Sequence, residues 1–260
     1  MKFFDTHAHV YDKAFDNDRE TMMKGVWEVC SYVVCPAEDL ASSEKAAAMA
    51  EMYPHLYAAA GIHPQLTAQA TEEELEGIKR LALSHPKVVA IGEIGLDYYY
   101  LYSEIETQKE WFGRQIDLAA ELDLPIIIHD RDAHGDTLQI LKEHRTDKLR
   151  GIMHCYSSSW EMAQEFMKLG FYISFAGPVA FKNSTKLKEV AKEVPLDHLL
   201  IETDSPYLTP PPFRGRRNDP SKVQYVAEEI ARLKGISAEA VAEATMKNGL
   251  AIYQIGEKES

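Results

Sequence analysis

The chain has 260 residues, 45% hydrophobic and 27% charged, a length and balance that suit one large core and exclude fibrous and disordered classes. Its net charge of −13 excludes broad nonspecific binding to a long polyanion, so any nucleic-acid chemistry must rest on local positive charge. With no apolar leader, no membrane-length run and no CxxC pair among Cys30, Cys35 and Cys155, a cytoplasmic protein without disulfide framework or zinc knuckle is expected.

The first apolar run, near 2–5, leads into Asp5-Thr6-His7-Ala8-His9. In an extended segment the period of two puts both imidazoles on one side, where they can share a metal ion. A helix near 17–28, a strand near 32–36 and a helix near 40–52 follow, and a third strand near 57–61 runs into Gly61-Ile62-His63-Pro64. After a helix near 72–84, the run 88–92 ends at Glu93. After a helix near 104–122, the run 125–128 ends at His129, with Arg131 two residues on. A helix near 135–144 precedes the strand 151–154, which ends in His154, and a helix near 160–169 precedes the strand 171–175. The helix near 184–193 and its approach carry Lys182, Lys186, Lys188 and Lys192, read as a solvated face. The eighth strand, 199–202, leads to Asp204, and a Pro/Arg loop over 209–217 precedes helices near 220–234 and 238–247.

Strict alternation of strand and helix implies a parallel sheet. Eight such units at this length imply an α/β fold, a single (β/α)8 TIM-type barrel of the metal-dependent hydrolase type spanning residues 1–260. His7, His9, Glu93, His129, His154 and Asp204 all follow strands, so they share the barrel's carboxyl end. A lone histidine on an apolar face is commonly a satisfied core residue; a set gathered at one end is a ligand set. His55, His85 and His198 precede strands, and His134 and His144 fall in or beside a helix, so these five are read as structural or exposed.

His7 and His9 suit one ion, His129 and His154 a second, with Glu93 bridging and Asp204 closing the ring. Two bridged divalent ions stand roughly 3.5–4 Å apart, placed to activate a water and stabilise a leaving oxygen. Nitrogen-rich ligands favour zinc, while phosphoryl chemistry often runs on magnesium or manganese, so zinc, manganese and magnesium all stay open. Asp5, Asp97 and Glu202 are candidates to orient the ligating rings.

The blocks Phe4-Asp5-Thr6-His7-Ala8-His9, Gly61-Ile62-His63-Pro64, Gly92-Glu93-Ile94-Gly95-Leu96-Asp97-Tyr98, Ile128-His129-Asp130-Arg131, His154-Cys155-Tyr156-Ser157 and Glu202-Thr203-Asp204-Ser205-Pro206 together resemble the motif series of the TatD-type metal-dependent deoxyribonucleases. Six ordered blocks at barrel spacing are specific where one HxH is not. Gln108, Gln115, Leu124-Pro125, Arg214-Gly215, Asn218 and Pro220 fit the same series. The resemblance implies an amidohydrolase-like barrel that hydrolyses phosphodiester bonds in DNA or short oligonucleotides, near an end, with two divalent ions on the six residues above. Three departures touch the mouth of the site: Gln65 stands where a histidine is usual, Ser158 where a glycine is, and Tyr99-Tyr100-Leu101-Tyr102-Ser103-Glu104 where a polar, proline-containing loop is.

In that reading Asp204 and Glu93 are catalytic, Asp204 taking a proton from the metal-activated water. Phosphate contacts fall to Arg131, His63 and the cluster Arg214, Arg216 and Arg217, whose alternative role is solvated surface charge. Tyr98, Tyr99, Tyr100 and Tyr102 offer stacking faces for splayed bases, or rim packing. The partner expected is DNA or an oligonucleotide, with no membrane and no obligate protein partner. A lactonase, amidase, esterase or phosphotriesterase with the same bimetal site is the alternative, and a nonenzymatic metal-binding scaffold a third.

Overall fold

The computed structural model describes residues 1–256. Strands β1 (Phe3–Asp5), β2 (Cys30–Cys35), β3 (Leu56–Ala60), β4 (Val88–Asp97), β5 (Ile126–Arg131), β6 (Gly151–Met153), β7 (Phe171–Phe175) and β8 (Leu199–Ile201) form one sheet in sequence order. Every ladder is parallel. Between them run α1 (Arg19–Val29), α2 (Leu40–Met52), α3 (Glu72–Ser84), α4 (Ile105–Leu122), α5 (His134–Glu143), α6 (Trp160–Lys168) and α7 (Thr185–Glu193), with α8 (Val223–Lys234) and α9 (Ala238–Tyr253) last. The last and first strands meet just past their ends. Thr6 N–H donates to Ile201 O at 3.2 Å, Asp204 N–H to His7 O at 2.9 Å and His9 N–H to Ser205 O at 2.8 Å. The (β/α)8 barrel therefore closes through the segments that carry His7, His9 and Asp204.

Local chemistry starts the helices. Asp39 and Ser42 form a reciprocal capping box on α2, and Thr71, Ser159 and Ser237 each accept a first-turn N–H at α3, α6 and α9. Along the strands, alternate residues divide between two apolar layers, except on β4, where the neighbours Val89 and Ala90 both join the inner one. Phe4, Val34, Ala59, Ala90, Ile127, Ile152 and Leu200 form an inner cluster, joined by Ile252 and Tyr253 of α9 and by Ile255. Phe3, Val33, Ala58, Ile91, Ile128 and Met153 belong to the cluster under the helices. Fully burying such a side chain stabilises by about 1.5–3 kcal/mol, which is what allows polar groups to be concentrated at the opposite end.

Three elements outrun the sequence expectation. The ladder of β4 and β5 continues through Ile94↔Ile128, Gly95↔His129, Leu96↔Asp130 and Asp97↔Arg131. Glu93 and His129 thus lie inside their strands rather than after them. Gly95 adopts φ 136°, and a Cβ there would meet the His129 carbonyl. Helix α9 passes the expected end near 247 and reaches Tyr253, and within this added stretch Gly249 lies against the Phe4 ring, where a Cβ would collide. Residues 257–260 of the expected domain lie outside the described residues. Among those described, no helix is long and apolar enough to cross a membrane.

Candidate metal centre

The six expected ligands converge at the carboxyl end of the barrel. Glu93, almost fully buried in β4, stands at the centre with its two oxygens turned apart. Oε2 lies 3.4 Å from His7 Nε2 and 3.8 Å from His9 Nε2. Oε1 lies 2.9 Å from His129 Nδ1 and 3.2 Å from His154 Nε2. Asp204, held at φ 54° just past β8, places Oδ1 3.4 Å from His9 Nε2 and 3.7 Å from His7 Nε2. Three sets meet metal-ligand spacing: His7, His9 and Asp204; His7, His154 and Glu202, which shares His7 with the first; and His63, Glu93 and His129.

The far side of most rings fixes which nitrogen is free. His154 Nδ1–H donates to Glu202 Oε1 at 2.8 Å, and His129 Nε2–H donates to Asp97 Oδ2 at 3.0 Å. His9 Nδ1–H faces Pro36 O at 3.2 Å, whereas His7 Nδ1 is buried without a partner. Each held ring turns its remaining nitrogen toward the Glu93 carboxylate, and His7 Nε2 and His9 Nε2 approach to 3.2 Å. Converging lone pairs of imidazole and carboxylate are a donor set that fits divalent cations of the zinc or manganese kind. Of the three acids expected to orient rings, Asp97 and Glu202 do so. Asp5 does not: it accepts the backbone N–H of His7 at 3.3 Å and both N–H and O–H of Thr203 at 2.9 and 2.6 Å, fixing the closing segments instead of an imidazole.

Electrostatics match a site built for positive charge. Burial alone raises the Glu93 carboxyl, but His154, His7 and His129 outweigh it and hold it well below its ordinary range. Burial opposes charge on His9 and His129, yet bonds to Asp204 and to Asp97 and Glu93 raise both to about 9. His7 and His154 stack with ring centroids 3.7 Å apart, so both cannot be charged. Burial and His154 lower His7, while Glu202 and Glu93 raise His154 against its burial. Several buried carboxylates would each cost several kcal/mol unpaired, and in this geometry imidazolium or a bound cation offsets that cost.

His63 falls inside the ring, its Nε2 3.7 Å from Glu93 Oε1. Its Nδ1 accepts the Gln65 N–H at 3.2 Å, which leaves Nε2 as the protonated nitrogen, a donor rather than a metal lone pair. Burial, then His129, lower it to about 3, so the ring is neutral.

The expected phosphate contacts divide. Arg131 projects, exposed, from the end of β5 with its guanidinium carbon 4.1 Å from the Tyr99 ring centroid. Arg214 lies over Phe181 at 3.6 Å and lines a groove of about 400 Å³ with Lys182, while Arg216 lines a different one beside Tyr225. Arg217 departs from the cluster: it binds both oxygens of Asp18 at 2.8 and 2.6 Å and caps Ala14 O, a tie to the segment before α1. Tyr98 likewise leaves the stacking set, because its hydroxyl donates to Asp136 at 2.7 Å. The histidines assigned to structural roles pair with neighbouring acids, His85 with Glu51, His134 with Asp130, His144 with Asp117 and His198 with Asp197, and His55 meets the Trp27 and Tyr32 rings. Cys30 and Cys35 are buried thiols and Cys155 is half-buried.

Sequence reasoning missed the polar scaffold beneath the ring. Gln65 Nε2–H donates to Asp97 Oδ2 at 2.7 Å, the oxygen that also holds His129, so this departure reaches past the mouth into the support of a ligand. Ser174 O–H donates to Glu202 Oε2 at 2.6 Å, and Gln108 brackets Asp97 by bonding its N–H and C=O. Gln65 and Gln108 stand out in the sequence only as a departure from the motif series and a match to it, and Ser174 only as a polar residue within an apolar strand, so none of the three announces these bonds.

The comparisons with known proteins agree with one another. The family model described as TatD related DNase matches residues 4–254. YabD of Bacillus subtilis (strain 168), a metal-dependent hydrolase, is 50% identical over 253 residues, covering 97% of this chain and 99% of its own length. The metal-dependent hydrolase TatD of Mycobacterium tuberculosis is 35% identical over 97% of this chain and 98% of its own. The crystal structure of YjjV, a TatD homologue from Escherichia coli K12, superposes with a TM-score of 0.92 at 30% identity, covering 97% and 98% of the two chains.

Proposed function

The chain belongs to the TatD-related DNase family of metal-dependent hydrolases, and on that premise we propose that it hydrolyses phosphodiester bonds of DNA or short oligonucleotides from an end, using two divalent ions. The observation that carries the two-ion reading is the division of Glu93, one oxygen toward His7 and His9 and the other toward His129 and His154. In this reading His7, His9 and Asp204 would hold one ion and His129 and His154 the other, with Glu93 available to both. When bound, the ions lower the pKa of a water and neutralise charge on the departing oxygen.

The chain's own groups supply the remainder. Arg131 is an exposed guanidinium at the rim, suited to two phosphate oxygens at once. His63 Nε2–H, neutral and facing the centre, donates one further hydrogen bond to phosphate. Asp204, with its side chain 14% exposed, accepts the proton of the attacking water at its carboxylate, and its lowered pKa, set by His9, His154 and His7 against burial, keeps it ionised for that step. The acidic surface favours a substrate of few nucleotides over a long duplex.

A comparison of rates on end-labelled single-stranded oligonucleotides and on neutral lactones and esters tests the reading. Release of mononucleotides, dependent on added divalent ion and at rates far above those on neutral esters, is expected. Intact oligonucleotides beside rapid lactone or ester cleavage would replace it with the amidohydrolase alternative.

A further inference from the structure

Four of the nine large hydrophobic side chains exposed among the described residues are consecutive: Tyr99, Tyr100, Leu101 and Tyr102. They sit in the loop between β4 and α4, at the end of the barrel that holds Glu93. Clustered exposure of this kind marks a contact surface rather than packing. Tyr102 is 69% exposed and Tyr99 58%, so rim packing does not account for them as it does for Tyr98. The Tyr100 and Tyr102 rings lie nearly parallel, 14° apart with centroids at 5.7 Å, and Tyr99 meets Tyr100 edge-on at 4.7 Å.

Beside these rings stands the Arg131 guanidinium, 4.1 Å from the Tyr99 centroid and 4.9 Å from that of Tyr100. No carboxylate among the described residues pairs with it. The loop is also fixed to the centre by one group: Asp97 Oδ1 accepts the N–H groups of Tyr99 and Tyr100 at 3.0 and 2.8 Å, while its Oδ2 accepts from His129 Nε2–H. The aromatic faces are thereby held in a set relation to His129.

We propose that Tyr100 and Tyr102, with Arg131 beside Tyr100, form a subsite for an unpaired nucleobase and an adjacent phosphate, selecting single-stranded ends over duplex; this rests on the phosphodiesterase reading and gives it a substrate class. Aromatic rings beside a free guanidinium recognise a base face next to a phosphate, whatever the sequence. A base between the two rings would need two stacking steps of roughly 3.4 Å, more than their separation allows, so the base lies on the open face of Tyr102. A paired base offers no such face, and the chain's overall negative charge gives a duplex no compensating attraction.

The test is equilibrium binding of a fluorescent oligothymidylate, and of an abasic strand of the same length, to the full chain with chelator present. Wild type should prefer the base-bearing strand, Tyr102→Ala should reduce that preference about five- to hundredfold, and Tyr102→Phe, which keeps the ring, should retain it. Equal binding of both strands by wild type, binding of neither, or an undiminished preference in Tyr102→Ala would overturn the subsite. A dimer in solution that Tyr102→Ala dissociates would assign the patch to a second copy and overturn it as well. Hydrolysis of the same strands with metal restored separates the two readings. Base-selective binding without cleavage sinks the nuclease alone, and cleavage of both strands with equal KM sinks the subsite alone.

Discussion

In the proposed reaction Asp204 and Arg131 divide two tasks that a single residue could not perform, and their variants should fail differently. Asp204→Asn keeps shape and one oxygen ligand while removing the base. It should fold, keep most of its metal and lose about a hundred- to ten-thousandfold in turnover, the range of a general base. Single-turnover rates beside metal content check this, and near-wild-type turnover at full metal would reduce Asp204 to a ligand. Arg131→Ala removes a charge that faces solvent and tyrosine rings, touching no ring ligand. Loss of a charge-assisted phosphate contact of about 1.5–3 kcal/mol should raise KM for oligonucleotides about ten- to a hundredfold and leave metal content intact. Unchanged KM would remove Arg131 from the substrate contacts.

At the scale of elements, β4 positions more of the centre than any other strand, carrying Glu93 at its middle and Asp97 at its end. Its last stretch is held to β5 by a register that only glycine permits at 95, where φ is 136° and a Cβ would strike the His129 carbonyl. Gly95→Ala should therefore cost about 2–4 kcal/mol, read as a lower urea midpoint; an unchanged midpoint would mean that β4 and β5 shift freely. The same strand marks where the sequence stops being legible. Strand positions and the six converging side chains follow from apolar runs with one polar residue at the end of each, since period and burial are local signals. Past Gly92 the apolar run breaks at Glu93 and Gly95, so the expected strand stops at 92, although the partners on β5 keep the chain extended to Asp97. The supports of the ring were hidden for a different reason. Gln65 acts on Asp97 from 32 residues away and Ser174 on Glu202 from 28, and no periodicity encodes a contact between loops and strands so far apart.

For the molecule as a whole, the centre links protonation to stability. His9 and His129, raised to about 9, stabilise the metal-free fold fully below their unfolded pKa near 6.5, and that contribution disappears as pH rises to about 9. His63 and His7 shift downward, so their contribution is lost as pH falls below about 6.5, when the unfolded chain takes up protons. Metal-free protein should therefore show its highest urea midpoint near pH 6.5, and a midpoint that climbs steadily to pH 9 would contradict the charge assignment. Bound cations must displace the protons on His9 and His129, so metal should bind more tightly as pH rises over the same window.

The central claim is that two ions on one carboxylate-bridged centre drive hydrolysis of nucleic acid. Its most direct test is a titration of metal-free chain with a divalent ion while release of nucleotides from an end-labelled single strand is followed. Hydrolysis is expected to be absent in chelator and to rise until about two ions are bound per chain, with Glu93→Ala losing both sites together. Full hydrolysis in chelator, or at one ion per chain, or a Glu93→Ala protein that keeps one site filled and active, would contradict it.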